Sequence, residues 1–258
     1  IQDANNKTVR VISSVKDSTY KKYDGGPGPE PVLPAKKGLN RFVWDLRHAT
    51  APGVPDVYIE SSYAGHKAIP GTYRFVLKAG QKTVETSAKI LGNPDYRTTA
   101  EDYKEYTTIM SEMEANVTEM HKRINALYTT RKNLENLLTA LPGTTNYDAV
   151  RKEASALISR MKTWDEEMVQ RKAKAYDDVD NFDNKFTANY LFLINQTESD
   201  IPQVNQPSRD RKAELDAQWS KLKAQAEQFT TVDIPGLNRR LWELGVGAVR
   251  ESGACLPA

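Results

Sequence analysis

Cysteine is almost absent from this chain. The 258 residues include one, Cys255, so an internal disulfide and a cysteine-rich zinc site are both excluded. An excess of one charge sign is missing too, because 36 Lys and Arg residues stand against 34 Asp and Glu residues. A formal charge of +2 gives no electrostatic case for binding nucleic acid. No run of about 18 apolar residues occurs, which predicts no membrane span.

The short motifs of the common enzyme classes are also missing. The sequence contains no Gly-x-Gly-x-x-Gly, phosphate-binding loop, His-Glu-x-x-His or Gly-x-Ser-x-Gly pattern. We therefore predict no catalytic residue, no metal site and no cofactor.

Histidines and acidic residues leave weaker alternatives. His48 and His66 lie near Asp45 in sequence, and two histidines with a carboxylate can bind a metal, but the spacing matches no known ligand signature. His121 is expected on the solvated face of a predicted helix. The acidic stretch at residues 177–183 lacks the Gly and Glu positions of an EF-hand and is expected to be a solvated loop.

Turn-forming residues divide the chain near Arg97. Eight of 13 prolines and nine of 14 glycines precede it, whereas long uninterrupted segments follow it. The hydrophobic period changes at the same place, from alternation to helical spacing. We predict an α+β protein in two parts: an Ig-like antiparallel β-sandwich at residues 1–96 and an elongated antiparallel helical bundle at residues 97–250. Residues 251–258 are expected to form a tail.

Alternating apolar residues predict the strands of the first part. Residues 39–47 and 70–77 both alternate, and the second segment is followed by a turn and a return strand at residues 83–91. Residues 1–12 have the pattern of another hairpin. Phe42, Trp44 and Tyr73 are expected to face inward as structural residues, and Trp44→Ala is expected to cost about 3–5 kcal/mol.

Two long connections, residues 14–38 and 48–69, interrupt the predicted strands. Loops of this length in a compact domain carry function or are disordered. They contain tyrosines whose faces suit a sugar or a peptide. A carbohydrate- or protein-binding module that uses these loops is therefore an alternative function, with the candidate residues Tyr20, Tyr23, Tyr58 and Tyr63.

The second part shows the strongest pattern, an apolar residue every three or four positions. This coiled-coil spacing predicts a long helix at residues 101–141, capped by Thr98 or Thr99, and a second helix around residues 150–168. Ser208 is expected to cap a third long helix, and Asp233 and Pro235 are expected to break or restart it. Three further features belong to this prediction: a short helix at residues 186–194, a core that contains all five methionines, and structural roles for Trp164 and Trp219.

Several motifs resemble one protein family. Gly38–Arg47, Pro70–Phe75 and Asn93–Arg97 are similar to the region that follows the β-propeller in bacterial sortilin-like, Asp-box (BNR-repeat) proteins, which are often labelled glycosyl hydrolases. The motif in the first part also resembles the Ig-like module of flagellar hook-capping proteins. Since the repeats and any carbohydrate site would lie in the propeller, the resemblance places no catalytic residue in this chain.

The resemblance implies a non-catalytic accessory or scaffold module that supports or docks the upstream propeller of the same polypeptide or a protein partner. It also implies an extracytoplasmic location, secreted or in the cell envelope. The chain opens with Ile1-Gln2-Asp3 and no initiator Met, which favours a piece of a longer protein. A hydrolase with its site in this chain is the third alternative.

Overall fold

A computed structural model describes residues 1–198 and 202–249 and shows a mixed α+β chain, as predicted. The predicted tail, with Cys255, lies outside the described residues. Within the described residues, no helix is both long and apolar enough to cross a membrane.

The β structure is one antiparallel hairpin. Strand β1 (Gly71–Ala79) pairs with β2 (Lys82–Ile90) over nine consecutive residue pairs. Gly80 has φ +59° at the first of the two loop positions, which is the positive φ that two-residue hairpin turns require. The hairpin predicted from the alternation is therefore confirmed.

The predicted Ig-like sandwich is not confirmed. Outside the hairpin, the described part of the chain contributes four isolated bridges, including Gln2 with Thr8 and Arg47 with Lys67, but no second sheet. Residues 39–45 form no strand, and Leu46 bends the chain with φ +59°. Alternation shows which face of a segment is apolar, but it does not supply the neighbouring strand that a ladder needs.

The first helix follows the prediction closely. Helix α1 (Ala100–Ala140) begins with Thr99 as N-cap, and Thr99 and Asp102 form a reciprocal capping box. The Asp102 N–H donates to the Thr99 hydroxyl at 3.1 Å, and the Thr99 N–H donates to the Asp102 carboxylate at 2.8 Å. Two backbone donors at the helix start are thereby satisfied.

We expect Thr99→Ala to lower the free energy of unfolding by about 1 kcal/mol, because it removes the acceptor of the capping box. Thr108→Ala is the matched control, since the Thr108 hydroxyl only donates back to the Lys104 carbonyl within the same helix. Urea denaturation followed by circular dichroism measures both. Equal effects of the two substitutions would contradict the capping role.

The second and third helices are joined by irregular chain. Helix α2 (Asp148–Met168) follows a 3₁₀ turn at Thr145–Tyr147. Its N-cap is Tyr147, which makes no side-chain capping hydrogen bond, although Thr145 and Asn146 just before it are residue types that favour this position. The acidic stretch forms a 3₁₀ turn at Tyr176–Asp180, and helix α3 (Phe186–Thr197) extends beyond its predicted end.

The last helix changes its hydrogen-bonding pattern at the place where Asp233 and Pro235 predicted a break or a restart. Helix α4 (Gln206–Gln228) starts after the N-cap Asn205, which accepts from the Ser208 N–H at 2.8 Å, so the predicted cap Ser208 is wrong. It continues through a π-helical turn at Phe229–Asp233 into α5 (Ile234–Glu243). Pro235 is tolerated because the wider turn before it changes the backbone pairing locally.

Ion pairs and one indole hydrogen bond between the helices show in which directions the helices run. Glu105 pairs with Arg209 at 2.7 Å and Glu119 with Lys223 at 2.9 Å, so α1 and α4 run in the same direction. Glu153 on α2 pairs with Arg240 on α5, and the Trp164 indole N–H on α2 donates to the Leu222 carbonyl on α4. Helix α2 therefore runs opposite to α4 and α5. Helix α3 contacts α1, α2 and α4, so four helices pack together, and the predicted bundle of three long helices with added short segments is not confirmed.

One apolar core fills the space between the helices. The five methionines are 0–2% exposed within it, which confirms that they form core rather than a surface. The core also crosses the predicted boundary at residue 97, because four residues of the 48–69 segment belong to the same cluster: Val54, Val57, Ile59 and Tyr63. The first part of the chain is thus packed against the helices.

Candidate functional site

The 48–69 segment lies across the middle of α1 and is held there by polar contacts as well as by its apolar residues. The His121 imidazole donates from Nδ1 to the Pro52 carbonyl at 2.6 Å, and Asn125 donates to the Gly53 carbonyl at 3.1 Å. The predicted binding loop is therefore a structural segment over most of its length.

His121 lies in the core and not on the solvated face that the sequence predicted. Its exposure is 0%, and burial lowers the pKa of its imidazole to about 4 even though the hydrogen bond to Pro52 acts in the opposite direction. The residue flanks the apolar stripe of α1, and the 48–69 segment covers that flank. The apolar spacing of α1 does not indicate that the 48–69 segment covers this flank.

A histidine–glutamate cluster fixes the far end of the same segment. His66 is 1% exposed, and its Nδ1 lies 2.9 and 3.0 Å from the two carboxylate oxygens of Glu114 on α1. The Glu114 carboxylate also accepts the His66 backbone N–H at 2.6 Å. The His48 ring stacks on the His66 ring with centroids 3.9 Å apart. Burial, followed by the neighbouring His66, lowers the pKa of His48 to about 4.

In catalytic triads a carboxylate orients an imidazole, which acts as the general base. Glu114 and His66 have this arrangement. The other ring nitrogen, Nε2 of His66, is buried and has no hydrogen-bond partner in the described part of the chain. The observed contacts of the cluster join the 48–69 segment to α1 through Glu114.

We expect Glu114→Ala to destabilise the fold by about 2 kcal/mol, because two buried donors of His66 lose their acceptor. Glu114→Gln is the matched variant: its amide oxygen keeps one acceptor, so the expected loss is smaller. Thermal unfolding followed by circular dichroism measures the difference. Losses below about 0.5 kcal/mol in both variants would show that the cluster does not hold the segment.

An open groove of about 1310 Å³ runs between α1 and the N-terminal residues. Small side chains of α1 line part of it. Lys7 and Lys122 also line it and form no ion pair within the described residues, whereas other charged groups along it have partners. Glu119, for example, pairs with Arg123 and Lys223. Metal-binding groups of three or more His, Cys, Asp or Glu side chains do not occur in residues 1–198 and 202–249.

The four tyrosines proposed as ligand contacts do not form one aromatic platform. Tyr63 is 5% exposed and faces the His121 ring within the core, so its face is not free for a sugar. Tyr23 packs on Gly26 and Gly53, where an added Cβ would come within about 2.4 Å of its side chain. Burial raises its pKa to about 12.

The remaining two tyrosines contact other parts of the chain and do not share a partner. The Tyr20 hydroxyl donates to the Pro27 carbonyl at 3.1 Å, and Tyr58 lies against Gly25 and donates its N–H to the Ala173 carbonyl. Both side chains are half-buried.

The aromatic residues predicted to be structural differ in burial. Trp164, Trp219 and Tyr73 are 2–4% exposed, which confirms their inward orientation. Phe42 and Trp44 are only half-buried. Trp44 lies edge-on to Tyr73 and to Phe75 of β1, with ring centroids 5.6 and 6.0 Å apart, so it covers the base of the hairpin but not its tip.

Arg10 is a residue that the sequence did not single out. It is 5% exposed and holds three extended segments together through Glu30 at 2.9 Å, Asp45 at 3.3 Å and the His48 carbonyl at 3.3 Å. An arginine that alternates with valines has the pattern of an outward-facing residue. Nothing in the sequence around Arg10 indicates that segments far away in the same chain bury its side chain.

Exposed apolar side chains are concentrated in the first part of the chain. Of the fourteen large ones among the described residues, nine precede residue 97. Leu39 is fully exposed, and Leu77 and Val84 are opposite each other on the hairpin with exposures of 57% and 63%. Exposed apolar residues that adjoin one another mark interaction sites on soluble proteins. No protein-family model, no curated protein and no solved structure matches this chain.

Proposed function

We propose that this chain is a non-catalytic accessory module that binds a protein partner through the open apolar face of its hairpin. The exposed pair Leu77 and Val84 carries this proposal. The face that they share is covered at its base by Trp44 and left open toward the turn. Burying two such side chains against a partner would contribute about 1.5–3 kcal/mol each.

In this proposal the partner is the upstream β-propeller of the same polypeptide, which the sequence resemblance implies, in an extracytoplasmic protein. An Ig-like sandwich forms only in the complex with the propeller. There the hairpin and the alternating 39–47 segment pair with strands of the partner. The helices serve as an elongated support, since the 48–69 segment joins the hairpin side of the chain to their core.

The test begins with the coding sequence that precedes Ile1. If it encodes a propeller, that region and the present chain are produced separately, and their binding is measured by calorimetry. We expect Val84→Asn to weaken binding about tenfold, because a buried valine is worth about 1.4 kcal/mol or more. Thr83→Asn is the matched control on the opposite face of the same strand and is expected to change binding less than about twofold.

Two outcomes would overturn the proposal. The first is a coding sequence without a propeller before Ile1, which removes the partner. The second is an equal loss of binding in Val84→Asn and Thr83→Asn, which would show that the apolar face of the hairpin does not bind the partner.

A further inference from the structure

The register of the hairpin fixes which backbone groups of β2 point away from β1. Arg74 of β1 exchanges two backbone hydrogen bonds with Gln2, at 2.8 and 2.9 Å, and faces Ser87 across the ladder. Because hydrogen-bonded and non-hydrogen-bonded pairs alternate in an antiparallel ladder, Ser87 also directs its N–H and C=O away from its neighbour. The same orientation recurs at every second residue, so the outward groups of β2 belong to Thr83, Glu85, Ser87 and Lys89.

This edge has few of the features that protect strand edges. Proteins commonly place proline, a bulge, a covering segment or charged side chains, above all lysine, there. Of these features β2 has the charged side chains, Lys82, Glu85 and Lys89. Strand β2 contains no proline, pairs with β1 without a bulge, and has eight of its nine residues exposed. No backbone hydrogen bond from elsewhere in residues 1–198 and 202–249 reaches its outward groups. The edge can therefore accept a further strand.

The two faces of the hairpin define the side chains that such a strand would carry. On one face, Val84 and Leu77 continue the apolar surface that starts at Phe75. A strand that is added outside β2 places every second side chain beside this face, since side chains alternate between faces. Those side chains must be apolar to extend the surface.

Two unpaired lysines lie on the opposite face of the hairpin, and a third lies at the turn. Arg74 pairs with Glu85 at 3.3 Å, whereas Lys78 and Lys89 on the same face, and Lys82 at the turn, are exposed and form no ion pair within the described residues. Residues 1–97 as a whole carry 15 Lys and Arg against nine Asp and Glu. Charge complementarity therefore calls for acidic side chains on this face of the added strand.

We propose that the outer edge of β2 binds an extended segment of the protein partner by β-strand addition, and that this segment alternates apolar with acidic residues. The inference rests on the proposed function and adds the binding mode and the partner chemistry. Main-chain hydrogen bonds to the four outward residues hold the segment, and the alternate side chains select it.

The probe is a nine-residue synthetic peptide that alternates valine and glutamate, with its valine–lysine counterpart as the charge control. Fluorescence anisotropy measures the binding of both labelled peptides to the full chain. We expect the acidic peptide to bind at least tenfold more tightly than the basic one. Because electrostatic attraction between exposed groups is screened by salt, this ratio falls as the salt concentration rises.

Ser87→Pro tests the edge directly. Proline removes the outward N–H of residue 87 and leaves the ladder to β1 intact, because that N–H does not bond to β1. We expect Ser87→Pro to weaken peptide binding at least tenfold and the matched Ser87→Ala to change it less than twofold. If Ser87→Pro does not fold, slower amide exchange at Thr83, Glu85, Ser87 and Lys89 on adding peptide to the unaltered chain gives the same information.

Three results would overturn the inference. They are the absence of acidic-peptide binding, binding that Ser87→Pro leaves unchanged, and self-association of the chain through the same edge, which would make a second copy the occupant. Calorimetry with the upstream region separates this failure from that of the proposed function. If Val84→Asn weakens binding of the upstream region and Ser87→Pro does not, the proposed function stands and strand addition is rejected.

Discussion

Trp164→Ala is expected to lower the free energy of unfolding by about 3–5 kcal/mol. Trp164 is 2% exposed on α2, and its indole N–H donates to the Leu222 carbonyl of α4 at 2.9 Å. The substitution opens a cavity at the centre of the helical core. It also removes the indole hydrogen bond, although the Leu222 carbonyl keeps its backbone partner within α4. Urea denaturation followed by circular dichroism at 222 nm measures it.

Three further tryptophan variants separate the contributions. Trp164→Phe keeps most of the ring and loses the hydrogen bond, so we expect a loss of about 1–2 kcal/mol. Trp44→Ala should cost less than the 3–5 kcal/mol expected from sequence, because Trp44 is only half-buried. Trp242→Ala is the control: Trp242 is 76% exposed, and its loss should stay within about 0.5 kcal/mol. A Trp44→Ala effect equal to that of Trp164→Ala would contradict the burial order.

The helices could be predicted because their signal is local and repeated. The apolar spacing from Tyr106 to Leu134 marks one face of α1 at every turn, and the Thr99 cap marks its start. Both signals depend on residues within a few positions of each other. The predicted range of 101–141 therefore differs from the observed one by one residue at each end.

The first part could be predicted only where pairing is local. The hairpin needs a two-residue turn at Gly80, and the sequence contains it. Residues 39–47 have the same alternation, but a strand needs a partner, and a partner distant in sequence leaves no local signal. The 48–69 segment illustrates the opposite case, because Val54, Val57 and Ile59 follow no strand or helix period and nevertheless reach the core.

The candidate surface was also only partly predictable. Alternation predicted that Tyr73, Phe75 and Leu77 would share a face, and the register places them on one face. It did not predict that Trp44 would cover the base of that face and leave Leu77 exposed. That outcome depends on how far the extended segment reaches across the hairpin, which is a tertiary property.

Acidification is expected to destabilise this protein through His121. The pKa of His121 is about 4 in the folded chain, because burial disfavours the charged imidazole, whereas an unfolded histidine has a pKa of about 6.5. Between these values the unfolded chain binds a proton that the folded chain does not bind. Stability is therefore fully present above about pH 6.5 and falls with decreasing pH down to about pH 4. The loss from this residue amounts to about 3 kcal/mol at the end of that window.

His121→Asn isolates this contribution. The asparagine amide can still donate to the Pro52 carbonyl, but it does not titrate. We expect the stability difference between the two proteins to shift by about 3 kcal/mol in favour of the variant between pH 7 and pH 4. Carboxylates that titrate in the same range are common to both proteins and cancel in the difference. A stability difference independent of pH, or an imidazole resonance of His121 that titrates near pH 6.5, would show that the 48–69 segment does not keep this side chain out of water.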